Sequence, residues 1–109
     1  MKTIKKLKEM TFNDFVANQT ENIFFKFMDF GRKGIEMAAE ELVLNISTFQ
    51  KEQSANKDNK KLLTEEQQQE IINYAVKELT DSLITQGTKG FERVIVSVST
   101  YVANIRNNS

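Results

Sequence analysis

The chain has no cysteine, no histidine, no tryptophan and no proline, and only four glycines. Without cysteine there is no disulfide, and without cysteine or histidine there is no zinc staple of the usual nitrogen and sulfur kind. The missing histidine removes the commonest general base at neutral pH, and the missing cysteine removes the thiol nucleophile. Most familiar catalytic constellations are excluded, leaving serine, threonine, lysine, tyrosine and carboxylates. The absence of proline and scarcity of glycine also remove the turn punctuation that a β-rich chain of this length needs, so helices are favoured. No stretch approaches the ~20 apolar residues of a membrane span. The segment Met1 to Met10 reads MKTIKKLKEM, which has the positive start of a signal peptide without the apolar run that should follow, so a cytoplasmic location is expected.

What is present fits one small domain. A chain of 109 residues buries only about 60 to 65 per cent of its unfolded surface, so self-association is expected to complete its stability. The whole chain, 1–109, reads as a single helical domain, with 1–10 as a basic tail and 51–63 as a flexible connector: KEQSANKDNKK at 51–61 has nothing apolar larger than alanine. Fifteen basic and fifteen acidic side chains cancel, which removes the basic footprint of a nucleic-acid binder. Lys26, Arg32 and Lys33, with Lys2 to Lys8, would offer at most a weak, non-specific phosphate patch. Lysines ahead of Phe12, Phe15, Phe24, Phe25 and Phe27 have the composition of an interfacial membrane helix. The same aromatics continue into a helical core stripe, so membrane attachment is not expected. Heavy use of lysine, asparagine, glutamine and isoleucine matches AT-rich bacterial genomes and their phages or plasmids.

Hydrophobic spacing predicts a bundle of about four helices. Thr11 with Asp14 caps a short helix carrying Phe12, Phe15 and Val16, ending near Asn18 to Thr20. On a wheel of 100° per residue, Phe24, Phe27, Met28, Ile35, Ala38, Ala39, Leu42, Ile46 and Phe49 form one stripe, which predicts a long central helix from Glu21 to Gln50. FGRKG could instead be a turn; continuity is the reading adopted, with Gly31 on the stripe to let a neighbouring helix approach. Thr64 with Glu65, Glu66 and Gln67 starts a third helix that Gly87 closes. A last helix from Phe91 to Asn104 competes with a strand reading of the alternating Val94, Val96 and Val98, and accounts for more of the apolar positions.

Two sets of residues are candidates for function. Ile23, Phe30, Met37 and Leu44 recur every seven residues and form a second, narrower seam on the central helix, as expected of a surface shared with a partner or a second copy. Glu36, Glu40 and Glu41, and Glu78 with Asp81, are carboxylates one helical turn apart of the kind that hold magnesium. They resemble the paired acidic motifs of all-α nucleoside triphosphate pyrophosphohydrolases; the resemblance covers these residues alone and would imply magnesium held against substrate phosphates. The wheel places Glu36 and Glu40 on the wet face, which favours the non-enzymatic reading: an assembly, adaptor or inhibitor protein, with no cofactor and no metal, acting through the seam.

Overall fold

The computed structural model describes residues 11–53 and 63–107, and among them there is no strand. Four α-helices follow one another: α1 (Phe12–Phe30), α2 (Arg32–Gln53), α3 (Glu65–Gln86) and α4 (Phe91–Asn107), with a 3-10 turn at Gly87–Gly90 before α4. The expected basic tail lies outside the described residues, as does most of the connector. Of the connector's ends, Lys51 to Gln53 continue α2, and Leu63 is buried.

Local chemistry sets the starts of α1 and α3. The Thr11 hydroxyl accepts the Asp14 N–H at 3.1 Å, and Thr64 makes a reciprocal box with Gln67, whose side chain takes the Thr64 N–H at 3.0 Å while its own N–H donates to the Thr64 hydroxyl at 3.1 Å. Each such cap contributes about 1 kcal/mol. The valine run of α4 is helical; Phe91, Val94, Ile95, Val98 and Val102 line one buried face, as a 3.6-residue period requires.

The central helix is where expectation and structure part. α1 does not stop near Thr20; it runs to Phe30, and the continuous rod from Glu21 to Gln50 does not exist. Gly31 takes φ +63°, its N–H bonds back to the Phe27 carbonyl, and the chain reverses. Only glycine takes that conformation without steric cost. α1 and α2 therefore form an antiparallel hairpin: Phe15 stacks on Phe49 with centroids 4.4 Å apart, Asn45 donates to Gln19 at 3.3 Å, and Asn22 donates to Glu41 at 2.8 Å. The break resets the helical phase. From Ile35 to Phe49 the predicted stripe is buried, but in α1 the buried arc is Phe15, Gln19 and Ile23, and Phe24 and Met28 face solvent. The close approach anticipated at Gly31 belongs to Gly34. A Cβ there would overlap the Lys26 carbonyl oxygen and lie 2.5 Å from its carbon, whereas one at Gly31 would meet nothing.

The second half repeats the first. Adding 56 to a residue number carries Gly31 to Gly87, Lys33 to Lys89, Gly34 to Gly90 and Glu36 to Glu92, so both turns read G-x-K-G-x-E. Gly87 takes φ +66° and its N–H returns to Leu83, the counterpart of Phe27. Gly90 allows a close crossing as Gly34 does, here against the Ser82 side chain, where Ser82 is the counterpart of Lys26. The buried positions coincide: Phe15 with Ile71, Gln19 with Ala75, Ile23 with Leu79, Ile35 with Phe91, Ala39 with Ile95, Leu42 with Val98 and Ile46 with Val102. α2 and α4 touch each other and both remaining helices, while α1 and α3 have no substantial contact with each other. The fold is thus two like hairpins with their second helices at the centre. Its extents of 40 × 38 × 19 Å describe a slab, about two helices thick given interaxial distances of roughly 8–10 Å.

The hairpins are tied at their margins by polar contacts. Gln50 donates to the Ser99 carbonyl at 2.9 Å and accepts from Arg106 at 3.3 Å. Within the second hairpin, Tyr101 of α4 crosses Tyr74 of α3 edge to face at 4.7 Å and donates to Glu70 at 2.5 Å, which, with desolvation second, holds its phenol above the ordinary tyrosine range. Because the folded value is raised, this interaction is complete below the ordinary tyrosine value and is lost as pH rises through the raised one. In an ultraviolet titration Tyr101 is expected to ionise later than a free tyrosine, and Glu70→Gln to move it back; an unchanged curve in that variant would remove Glu70 as the cause.

Candidate interaction surface

The turn at Gly31 takes apart the heptad seam. Ile23 is fully buried against the core, so it offers nothing to a partner. Phe30, at the last position of α1, is 53 % exposed; Leu44, on the outer face of α2, is 51 % exposed; Met37 is partly buried. The four residues share a seven-residue spacing but not one surface, since Ile23 and Phe30 precede the reversal and Met37 and Leu44 follow it.

The structure instead gathers apolar side chains on the outside of α1. Phe24, Phe25, Met28 and Phe30 are half of the eight large hydrophobic residues exposed among the described ones, yet they fall within seven positions. Glu21, Phe24, Phe25 and Met28 lie at i, i+3, i+4 and i+7, which puts them on one arc pointing away from the buried Phe15, Gln19 and Ile23. Phe24 and Phe25 meet edge on, centroids 5.9 Å apart. Arg32 and Lys33, both exposed, follow directly after the turn.

The repeat provides an internal control for this surface. The counterparts of Phe24, Phe25, Met28 and Phe30 on α3 are Thr80, Asp81, Ile84 and Gln86, and those of Met37 and Leu44 on α4 are Arg93 and Thr100. The same hairpin is built in the second half with polar residues at five of these six positions. The fold therefore has no need of aromatic side chains there, and isolated exposed apolar residues are ordinary whereas a contiguous patch is not. Sequence periodicity missed Phe25 altogether and placed Phe24 and Met28 in the core. The signal that finds them is the contrast between the two repeats.

The carboxylates are not brought together. Glu36 and Glu40 stand exposed on α2, Glu41 is occupied by Asn22 at 2.8 Å and Lys26 at 3.6 Å, and Glu78 and Asp81 belong to the other hairpin. Among the described residues no group of three or more acidic side chains could hold a metal ion, and no helix is long and apolar enough to cross a membrane. Comparison with protein-family models, curated proteins and solved structures finds no match to this chain.

Proposed function

We propose that this protein is a non-enzymatic interaction module of the assembly, adaptor or inhibitor kind, and that it works by pairing the outer face of α1 with a second copy. What carries the reading is the contrast between the hairpins: Phe24 and Phe25 on the outer face of α1 against Thr80 and Asp81 on α3. Aromatic rings and an adaptable thioether are the side chains that anchor interfaces. A second copy suits the face because its ends differ in sign. Glu21 lies towards one end, and at the other the exposed Arg32 and Lys33 outweigh the exposed Asp29, so two α1 helices placed antiparallel bring unlike net charges together around a centre between Phe25 and Met28. Such an isologous contact closes on itself, giving a dimer and no filament.

The test is the mass in solution, by light scattering coupled to size exclusion, of the native chain and of a Phe25→Glu, Met28→Glu double variant. The native chain is expected as a dimer that dissociates on dilution, and the variant as a folded monomer with an unchanged circular dichroism spectrum. A native chain monomeric at every concentration would end the self-association reading, and a variant that remains dimeric would place the interface elsewhere.

A further inference from the structure

The two hairpins also differ in the groove between their own helices. In the first, the groove is filled: Lys26 reaches Glu41 at 3.6 Å, and Asn22 donates to the same carboxylate at 2.8 Å, so one cation and one anion cancel. The counterparts of Lys26, Glu41 and Asn22 in the second hairpin are Ser82, Ser97 and Glu78. Shortening lysine and glutamate to serine leaves a cleft of about 170 Å³ between α3 and α4, lined among others by Glu78, Asp81, Ser82, Thr85, Arg93 and Ser97. The Ser82 side chain, only 7 % exposed, lines this cleft with a hydroxyl that has no hydrogen-bond partner. Buried hydroxyls are rarely left so.

We infer that this cleft is a binding site for a small primary amine, whose ammonium group takes the place that the Lys26 ammonium fills in the first hairpin. The charges favour it. Glu78 and Asp81 face one cation, Arg93, so the lining of the cleft carries one uncompensated negative charge. An ammonium brings three donors, matching two carboxylates and the hydroxyls of Ser82, Thr85 or Ser97. The volume admits a ligand of a few heavy atoms and excludes a folded chain.

The experiment is a titration of the 15N-labelled protein with n-butylamine, followed by amide chemical shifts, with butyrate and tetramethylammonium as controls. Saturable shifts are expected around residues 78–97 with n-butylamine and with neither control, since butyrate carries the opposite charge and tetramethylammonium lacks N–H donors. A Glu78→Gln, Asp81→Asn variant, altered only at the surface, should bind at least about tenfold more weakly, because hydrogen bonds to charged groups are the strong ones. Ser82→Lys should supply the ammonium from the chain itself and abolish binding; should it not fold, the carboxamide variant carries the test alone. Shifts that never saturate, an equal response to butyrate or tetramethylammonium, or undiminished binding by the carboxamide variant would each overturn the assignment.

Discussion

Gly34→Ala is expected to cost more than about 3 kcal/mol, a large share of the roughly 5–15 kcal/mol that holds a domain of this size together. The added methyl falls on backbone, the Lys26 carbonyl, with the Phe27 nitrogen also 3.1 Å away. Neither atom can rotate aside, so α1 must move off α2 and open the Phe15–Phe49 stack and the Gln19–Asn45 contact that depend on their spacing. The gain in helix propensity, about 0.5–1 kcal/mol for alanine over glycine, does not offset this. Gly90→Ala makes the contrast. Its obstacle is the end of a side chain, the Ser82 hydroxyl, with Ser82 Cβ at 3.1 Å and Gln86 Oε1 at 3.3 Å. A cost of about 1–2 kcal/mol is expected, most of it recovered in Gly90→Ala with Ser82→Ala. Gly31→Ala and Gly87→Ala meet no atoms and pay only for a positive-φ conformation essentially confined to glycine, about 1–3 kcal/mol each. Urea denaturation of the five variants is the measurement. A Gly34→Ala chain as stable as Gly90→Ala would show that the hairpins tolerate separation, and would undo the account of why glycine stands there.

The same glycines mark the limit of what the sequence discloses. Caps at Thr11 and Thr64 are legible because their partners lie three residues away, and the buried stripe from Ile35 to Phe49 is legible because α2 is one uninterrupted helix. The break at Gly31 is not legible from spacing, since Phe24, Phe27 and Met28 continue the wheel of Ile35 and Leu42 as well as they would end a separate helix. Local propensity charges about 1 kcal/mol for a glycine in a helix, too little to decide between a rod and a turn. Tertiary contacts decide: Phe15 finds Phe49, and Ile23 finds the core, only if the chain reverses. The seam of Ile23, Phe30, Met37 and Leu44 presupposed the rod, and its outer residues remain exposed while its geometry is gone. The repeated G-x-K-G-x-E was the readable clue, because two glycines three apart, each pair followed by an apolar stripe in the same register, are two turns and not two flaws in helices.

Ile23 and Phe30 stand seven residues apart on α1 and turn that difference into opposite outcomes. Ile23→Glu removes a fully buried side chain, a loss of about 2–5 kcal/mol for large-to-small changes, and sets a carboxylate in the apolar core. An unpaired buried charge adds several kcal/mol more unless the group takes up a proton. The variant is expected to be unfolded at neutral pH. Phe30→Glu replaces a ring already 53 % exposed at the tip of the hairpin, and its stability should change by less than about 1 kcal/mol. Its effect belongs to association: Phe30 stands at the end of α1, off the arc of Phe24, Phe25 and Met28, and a charge at that tip weakens the dimer while the monomer stays folded. Circular dichroism melts and solution mass, read on both variants, separate the two roles. If Ile23→Glu melted cooperatively near the native temperature, α1 would have to pack by another face. The choice of Phe24, Phe25 and Met28 as the outward surface would then fall with it, since both rest on the same rotation of one helix.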